Sequence, residues 1–182
     1  MVLVILYTKG ELTHMNEVLK KDISRYQGKK DVPKFQVYYR KRQNSRGVIR
    51  LLYGLLFKLY KNANKVELSH STQIGEGLYI GHPYCITINP AVVIGKNCNI
   101  HKGVTIGQEN RGDRKGTPLI GNNVWIGINS TIVGKVTIGN DVLIAPNTFV
   151  NQDIPNHSVV FGNPCIIKHK ESATEGYINR TV

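Results

Sequence analysis

From Leu68 onward an aliphatic residue returns every six positions: Leu68, Ile74, Ile80 and Ile86, then Ile94, Ile100 and Ile106, then Ile120, Ile126, Ile132, Ile138, Ile144 and Val150. This period is neither that of an amphipathic helix nor the plain alternation of a half-buried strand. It predicts a mainly β chain wound as a parallel β-helix, in which each hexapeptide lays down one flat side and turns a corner. Glycine follows the aliphatic residue at positions 75, 81, 95, 107, 121, 127 and 139, close to corners that need unusual backbone angles. The fourth residue after the aliphatic one is small or apolar at Leu78, Cys98, Val104, Val124, Ser130, Val136, Val142 and Thr148. These read as a second inward row, which makes Cys98 a core filler and not a nucleophile.

The period slips twice. Two extra residues fall between Ile86 and Ile94, around Asn89–Pro90. Two more fall between Ile106 and Ile120, if one degenerate hexapeptide is counted there. The second stretch, Gln108–Pro118, is polar, carries Arg111, Arg114 and Lys115, and is expected to protrude as loop 108–118. Loops held on a rigid scaffold are where function concentrates. Trp125, just past this slip, reads as a corner-packing residue. The chain thus divides into an N-terminal arm (1–65), the β-helix (66–164) and a C-terminal tail (165–182).

In the arm, Glu17–Tyr26 and Val48–Tyr60 read as short helices. The second carries Val48, Leu51, Leu52, Leu55, Leu56 and Leu59 at helical spacing, interrupted by Arg50 and Lys58. Such a stripe is expected to be a packing face, with contact to a membrane surface as the other reading. Charge sharpens this picture. The 182 residues carry a net charge of +12. Residues 1–65 hold 15 Lys or Arg against 4 Asp or Glu, whereas the remainder holds 9 against 8. The basic excess therefore belongs to the arm and reads either as a solvated helical face or as attraction to an anionic partner. No DNA- or RNA-binding motif accompanies it, so nucleic acid is not expected.

The apolar run Val2–Tyr7 is far shorter than the roughly 20 residues of a membrane span. It also lacks a basic leader and a small-residue cleavage site. Cys85, Cys98 and Cys165 form no CxxC pair and leave one thiol unpaired, so a reduced, cytoplasmic protein is expected.

The hexapeptide ladder, with GLYIGHP at 77–83, VTIG at 104–107, RGDRKGTPLIG at 111–121 and GNP at 162–164, resembles the hexapeptide-repeat acyltransferases. Within them it is most similar to the serine acetyltransferase branch, which also includes polysaccharide O-acetyltransferases. The resemblance implies a left-handed parallel β-helix with a short α-helical N-terminal arm. It also implies a homotrimer with active sites between subunits, and acetyl-CoA as co-substrate without a metal.

Carried over residue by residue, the resemblance makes His82 the general base and Glu67 the carboxylate that orients it. A neutral imidazole takes the proton of an acceptor hydroxyl as that oxygen attacks the thioester, and the carboxylate fixes the tautomer. Contacts to CoA fall on Thr105, Gly107, Gly127, Ile128, Ala145 and Pro146. Lys135, Lys168 and Lys170 are candidates for its phosphates. Three hexapeptides make one coil, so simple counting puts Glu67 beneath Cys85, three residues along from His82. The same counting stacks Lys102 over His82, where its charge would favour neutral imidazole.

Two positions depart from the serine acetyltransferase pattern: an Asp before the His is Gly81 here, and a His after the loop Arg is Lys115. Arg114 remains and offers a bidentate pair to a carboxylate. Gly81, Arg114 and Lys115 are therefore the acceptor-side candidates, and the small hydroxyl-bearing acceptor is either L-serine or a sugar hydroxyl of a surface polysaccharide or its precursor. A metal centre on the same coil would need three converging His ligands. His82 and His101 have no evident third partner in His70 or His157.

Overall fold

The computed structural model describes residues 17–182; the run Val2–Tyr7 lies outside the described residues. Strands of two to four residues build three faces of a parallel β-helix. The first face stacks β1 (Gln73–Ile74), β4 (Val93–Ile94), β7 (Leu119–Ile120) and β10 (Thr137–Ile138). The second stacks β2 (Tyr79–Gly81), β5 (Asn99–His101), β8 (Val124–Ile126), β11 (Val142–Ile144) and β13 (Ser158–Phe161), and antiparallel β14 (Ile166–His169) closes its far edge. The third stacks β3 (Thr87–Ile88), β6 (Thr105–Gly107), β9 (Thr131–Val133) and β12 (Phe149–Val150).

Each face buries one aliphatic column. Ile74, Ile94, Ile120 and Ile138 pair in register, as do Ile80, Ile100, Ile126, Ile144 and Val160. Ile88, Ile106, Ile132 and Val150 form the third column. The second inward row is buried too, from Leu78 and Cys98 to Thr148. Its two hydroxyls are paired, Ser130 and Thr148 both donating to the Ala145 carbonyl at 2.9 and 2.6 Å.

Both slips differ from the expectation. Ile88, not Ile86, continues the column, because Thr87 pairs with Thr105 and Ile88 with Ile106. Ile86 is also buried, and two inward aliphatic residues two positions apart made either a fit to the period. The extra residues therefore sit at the corner after Gly81, not at Asn89–Pro90. At the second slip no hexapeptide side is hidden: β6 leads directly through loop 108–118, pinched by a Glu109–Gly116 bridge, into β7.

The arm contains α1 (Glu17–Ser24), a short helical turn at Lys29–Asp31, α2 (Lys34–Gln43) and α3 (Gly47–Ala63). Together they cap the open first coil, whose backbone edge would otherwise be unpaired. Arg40 is 1% exposed and donates to Asp22 Oδ2 at 2.8 Å, to the Ile74 carbonyl at 2.8 Å and to the Gly75 carbonyl at 2.6 Å. Asp22 Oδ1 accepts the Leu78 N–H at 3.0 Å, and Gln36 donates to the Leu78 carbonyl at 2.9 Å. Tyr26 accepts the Ile80 N–H at 2.7 Å, and Arg25 reaches the Gly77 carbonyl at 3.1 Å. Two of the arm's cations are thus turned inward onto carbonyls. Phe35, Tyr39 and Phe57 extend the coil's apolar core into the arm.

The α3 stripe does not pack as expected. Phe57 turns inward, while Val48 is 79% exposed and Leu55 65%, with Leu51 and Leu59 exposed beside them. None of the described helices is long and apolar enough to cross a membrane.

The tail folds back along the second face. Asp141 accepts the Ala173 and Thr174 N–H groups at 2.9 Å each and the Thr174 hydroxyl at 2.6 Å, and it meets His157 Nδ1 at 2.9 Å. Burial works to raise the Asp141 pKa, but the hydrogen bonds from Thr174 and His157 outweigh it and hold the carboxyl down to about 2.

Candidate active site

His82 stands where the coil departs from its period. Gly81 pairs with His101 and Thr87 with Thr105, so five residues, 82–86, span a corner that three, 102–104, span in the next coil. The surplus leaves the wall as a tight turn: His82 and Cys85 take φ of 53° and 54°, and the Tyr84 N–H bonds the His82 carbonyl at 2.7 Å. Positive φ also recurs at regular corners, on Asn97, Asn123, Asn129 and Asn147; at this corner two residues adopt it. The turn carries the His82 imidazole out to the surface.

Glu67 bridges to Thr87, not to Cys85, because the same two residues shift every count made across the corner. Its side chain is exposed and lines a groove of about 830 Å³ between α3 and the third face, with Phe57, Thr87, Asn89 and Gly107. Neither His82 nor Glu67 makes a side-chain hydrogen bond among the described residues. Lys102 is exposed and stands opposite the start of the His82 turn, so the single residue faces a loop and not one fixed neighbour.

Gly127 and Ile128 follow β8 and Ala145 and Pro146 follow β11, which stacks these four on the corner above His101 and Lys102. The coils approach closely there: a Cβ on Gly127 would lie 2.6 Å from the Pro146 nitrogen. Thr105 and Gly107 lie on β6, just past the same corner. Lys168 pairs with Val159 at the far edge of the second face, its Nζ 5.6 Å from the centre of the Phe161 ring.

Arg114 and Lys115 lie at another corner. Their loop leaves after the third face, and the Arg114 carbonyl takes the Lys135 N–H at 2.9 Å. Within one chain the acceptor-side candidates are therefore not brought together: Gly81 lies before the third face, Arg114 and Lys115 beyond it.

Sequence reasoning missed His101 as a site residue and misplaced Trp125. The His101 ring lies over Gly81, where an added Cβ would come within 2.6 Å of its Cδ2 and 2.9 Å of its Nε2. His101 Nδ1 donates to the Ile126 carbonyl at 2.9 Å, which leaves Nε2 as the acceptor in the neutral ring. Burial pushes its pKa down, opposed by that hydrogen bond and aided by nearby His82. Trp125 is mid-strand in β8 and not at a corner; its ring centre lies 4.6 Å from that of His101 and 5.2 Å from that of Tyr177. These rings border a second cleft of about 630 Å³ between arm, second face and tail. A histidine falling in register over a glycine was the available signal, and the count that stacks Lys102 over His82 already contained it. No group of three His, Cys, Asp or Glu side chains suited to a metal ion occurs among the described residues.

The bacterial transferase hexapeptide family (six repeats) matches residues 117–152. A serine acetyltransferase of Synechococcus elongatus is 31% identical over 110 residues, covering 60% of this chain and 45% of that protein. Serine acetyltransferase 2 of Arabidopsis thaliana is 37% identical over 101 residues, covering 54% and 31%. The solved structure of soybean serine acetyltransferase complexed with serine aligns with a TM-score of 0.60 at 27% identity, covering 74% of this chain and 54% of that one. The chain spans about a third to a half of the length of these curated relatives.

Proposed function

This chain is a hexapeptide-repeat β-solenoid of the acyltransferase kind, similar to the serine acetyltransferases, and from that premise we propose that it is an acetyl-CoA-dependent O-acetyltransferase with His82 as general base. The carrying observation is the corner itself: the two-residue surplus at 82–86 presents an exposed imidazole beside a column of backbone at Gly127, Ile128, Ala145 and Pro146. Pantetheine running along that column would set the thioester against His82, with its phosphates toward Lys168. The imidazole takes the acceptor's hydroxyl proton, the oxygen bonds to the carbonyl carbon, and the C–S bond breaks. The thiolate leaves with the proton returned by imidazolium. Glu67, across the turn, is the orienting carboxylate.

The assembly is a homotrimer. Because Arg114 and Lys115 face away from Gly81 in one chain, the neighbouring subunit's loop 108–118 completes the acceptor pocket. Release of CoA from acetyl-CoA on addition of acceptor, lost in His82→Ala with acetyl-CoA binding retained, tests the assignment. Undiminished release in that variant refutes it.

A second surface belongs to the arm. Between Asp31 and Glu67 there are nine Lys or Arg and no acidic residue, and the exposed Val48, Leu51, Leu55 and Leu59 stripe lies among them. An outward apolar face flanked by cations suits an anionic lipid surface, which would hold a cytoplasmic enzyme at the membrane.

A further inference from the structure

We infer that the acceptor is a saccharide unit, held in the cleft between the arm, the second face and the tail, with its reacting hydroxyl directed past His101 toward His82. This rests on the O-acetyltransferase reading and names its substrate class. Four features carry it.

The cleft adjoins the reaction corner, since His101 both lines it and lies over Gly81, the residue before His82. Its size, about 630 Å³, suits a sugar ring or two; an amino acid as small as serine would leave most of it filled with water.

Part of its wall is aromatic. Tyr79, Trp125 and Tyr177 line it, with Trp125 set edge-on to Tyr177. Large flat rings with polar tips suit a ligand that presents C–H groups on its faces and hydroxyls at its rim. The Tyr177 backbone is fixed by Asn99, whose Nδ2 donates to its carbonyl at 3.2 Å.

Its polar groups are of both kinds, as a ring of hydroxyls requires. His101 Nε2 is an acceptor in the neutral imidazole, and Asp31 supplies a carboxylate. Arg25, 3% exposed, spends Nη1 on the Gly77 carbonyl and Nη2 on Asn99 Oδ1, while its buried Nε has no hydrogen-bond partner. That nitrogen is closed off from the cleft, so the donors a ligand meets there come from Asn179 and Arg180, which line it.

Asp31 and Arg180 line the cleft, but residue 81, beside His82, is not built for a zwitterionic amino acid. Gly81 offers no carboxylate to an ammonium group, and His101 fills the volume where one would stand.

Trp125 is the sole tryptophan of the chain, so occupancy is readable without turnover. The protein is titrated with methyl glycosides of glucose, galactose and N-acetylglucosamine, with lactose and with L-serine. Trp125 fluorescence is followed first, then acetyl transfer from acetyl-CoA. The expected result is a saturable fluorescence change with at least one saccharide, which is then acetylated. Tyr177→Ala raises the KM for that saccharide about tenfold with the KM for acetyl-CoA unchanged. Tyr177→Leu, which keeps bulk without a ring, gives the same shift and serves if the alanine variant folds poorly. Saturation and acetylation with L-serine alone overturn the inference. Stabilisation by acetyl-CoA without response to any saccharide also overturns it, leaving the O-acetyltransferase reading standing. Absence of any acetyl-CoA binding strikes that broader reading instead.

Discussion

The imidazole of His101 occupies the space that a side chain at residue 81 would need, so the residue before His82 is glycine by steric requirement. Restoring an acidic residue there is a direct probe. Gly81→Asp forces the His101 ring off its hydrogen bond with Ile126 and is expected to cost about 1–3 kcal/mol, read as a drop in Tm. Adding His101→Ala to that variant recovers most of the loss, because the two changes share one contact. Additive losses would show that the ring is not what Gly81 accommodates.

Arg40→Ala is expected to be the most damaging single change in the arm. It leaves the Asp22 carboxylate without its cation and two edge carbonyls unpaired in a place from which water is excluded. Breaking such a pair costs about 3–5 kcal/mol, or roughly 10 °C in Tm for a chain of this size. Thermal melting followed by circular dichroism measures it; a change under about 2 °C would remove the network from any role in capping the coil.

The Asp141 carboxyl, held at about 2 in the fold against an ordinary 3.8, makes the tail acid-sensitive. Its contribution is fully present above pH 3.8 and is lost as pH falls through about 2. Asp141→Asn is expected to cost about 2 kcal/mol at neutral pH through its charged hydrogen bonds. It should also free Tyr177 from Trp125, which the tryptophan emission reports. In that variant the dependence of Tm on pH between 4 and 2 flattens.

Much of this was legible in the chain, and the failures share physical causes. The columns of Ile and Val announced the coil because an inward side chain every sixth residue has no polar substitute. Cys98 and Thr148 followed from the same count. The slip at 82–86 was misplaced by one hexapeptide because Ile86 and Ile88 are equally apolar, and hydrophobicity alone does not reveal which of two buried residues holds the register. Helix α2 was not anticipated because it buries Phe35, Gln36, Tyr39 and Arg40. Half of that inner face is polar, and its partners are Asp22, Tyr26 and backbone carbonyls far along the chain. The cleft was invisible for a similar reason: Arg25, Trp125 and Tyr177 meet only through folding.

Cys98 should be chemically silent. Burial pushes its thiol up to about 12, and Sγ lies 3.2 Å from the Gly121 carbonyl. Iodoacetamide at pH 8 is expected to label Cys85 in the native protein and to reach Cys98 only in denaturant, since the thiolate is the reactive form. Mass spectrometry of native labelling that finds Cys98 modified first would show that the coil opens.

The α3 stripe is expected to bind vesicles. Co-sedimentation with phosphatidylglycerol vesicles should be strong at low salt, weak with phosphatidylcholine alone, and lost in Leu51→Glu/Leu55→Glu. If that double variant instead dissociates the oligomer and no vesicle binding occurs, the stripe is a contact between subunits.

The two surplus residues at the His82 corner have an implication for how such a protein changes over time. Deleting Pro83 and Tyr84 would return the coil to the eighteen-residue spacing seen between Ile88 and Ile106, leaving a three-residue corner with one left-handed position, as at Gly103, Asn129 and Asn147. The shortened chain should melt higher, with His82 drawn back into the regular wall opposite Lys102. Drift toward a tidier wall therefore runs against chemistry at this corner, and the irregular step in the ladder is what selection for turnover has to defend.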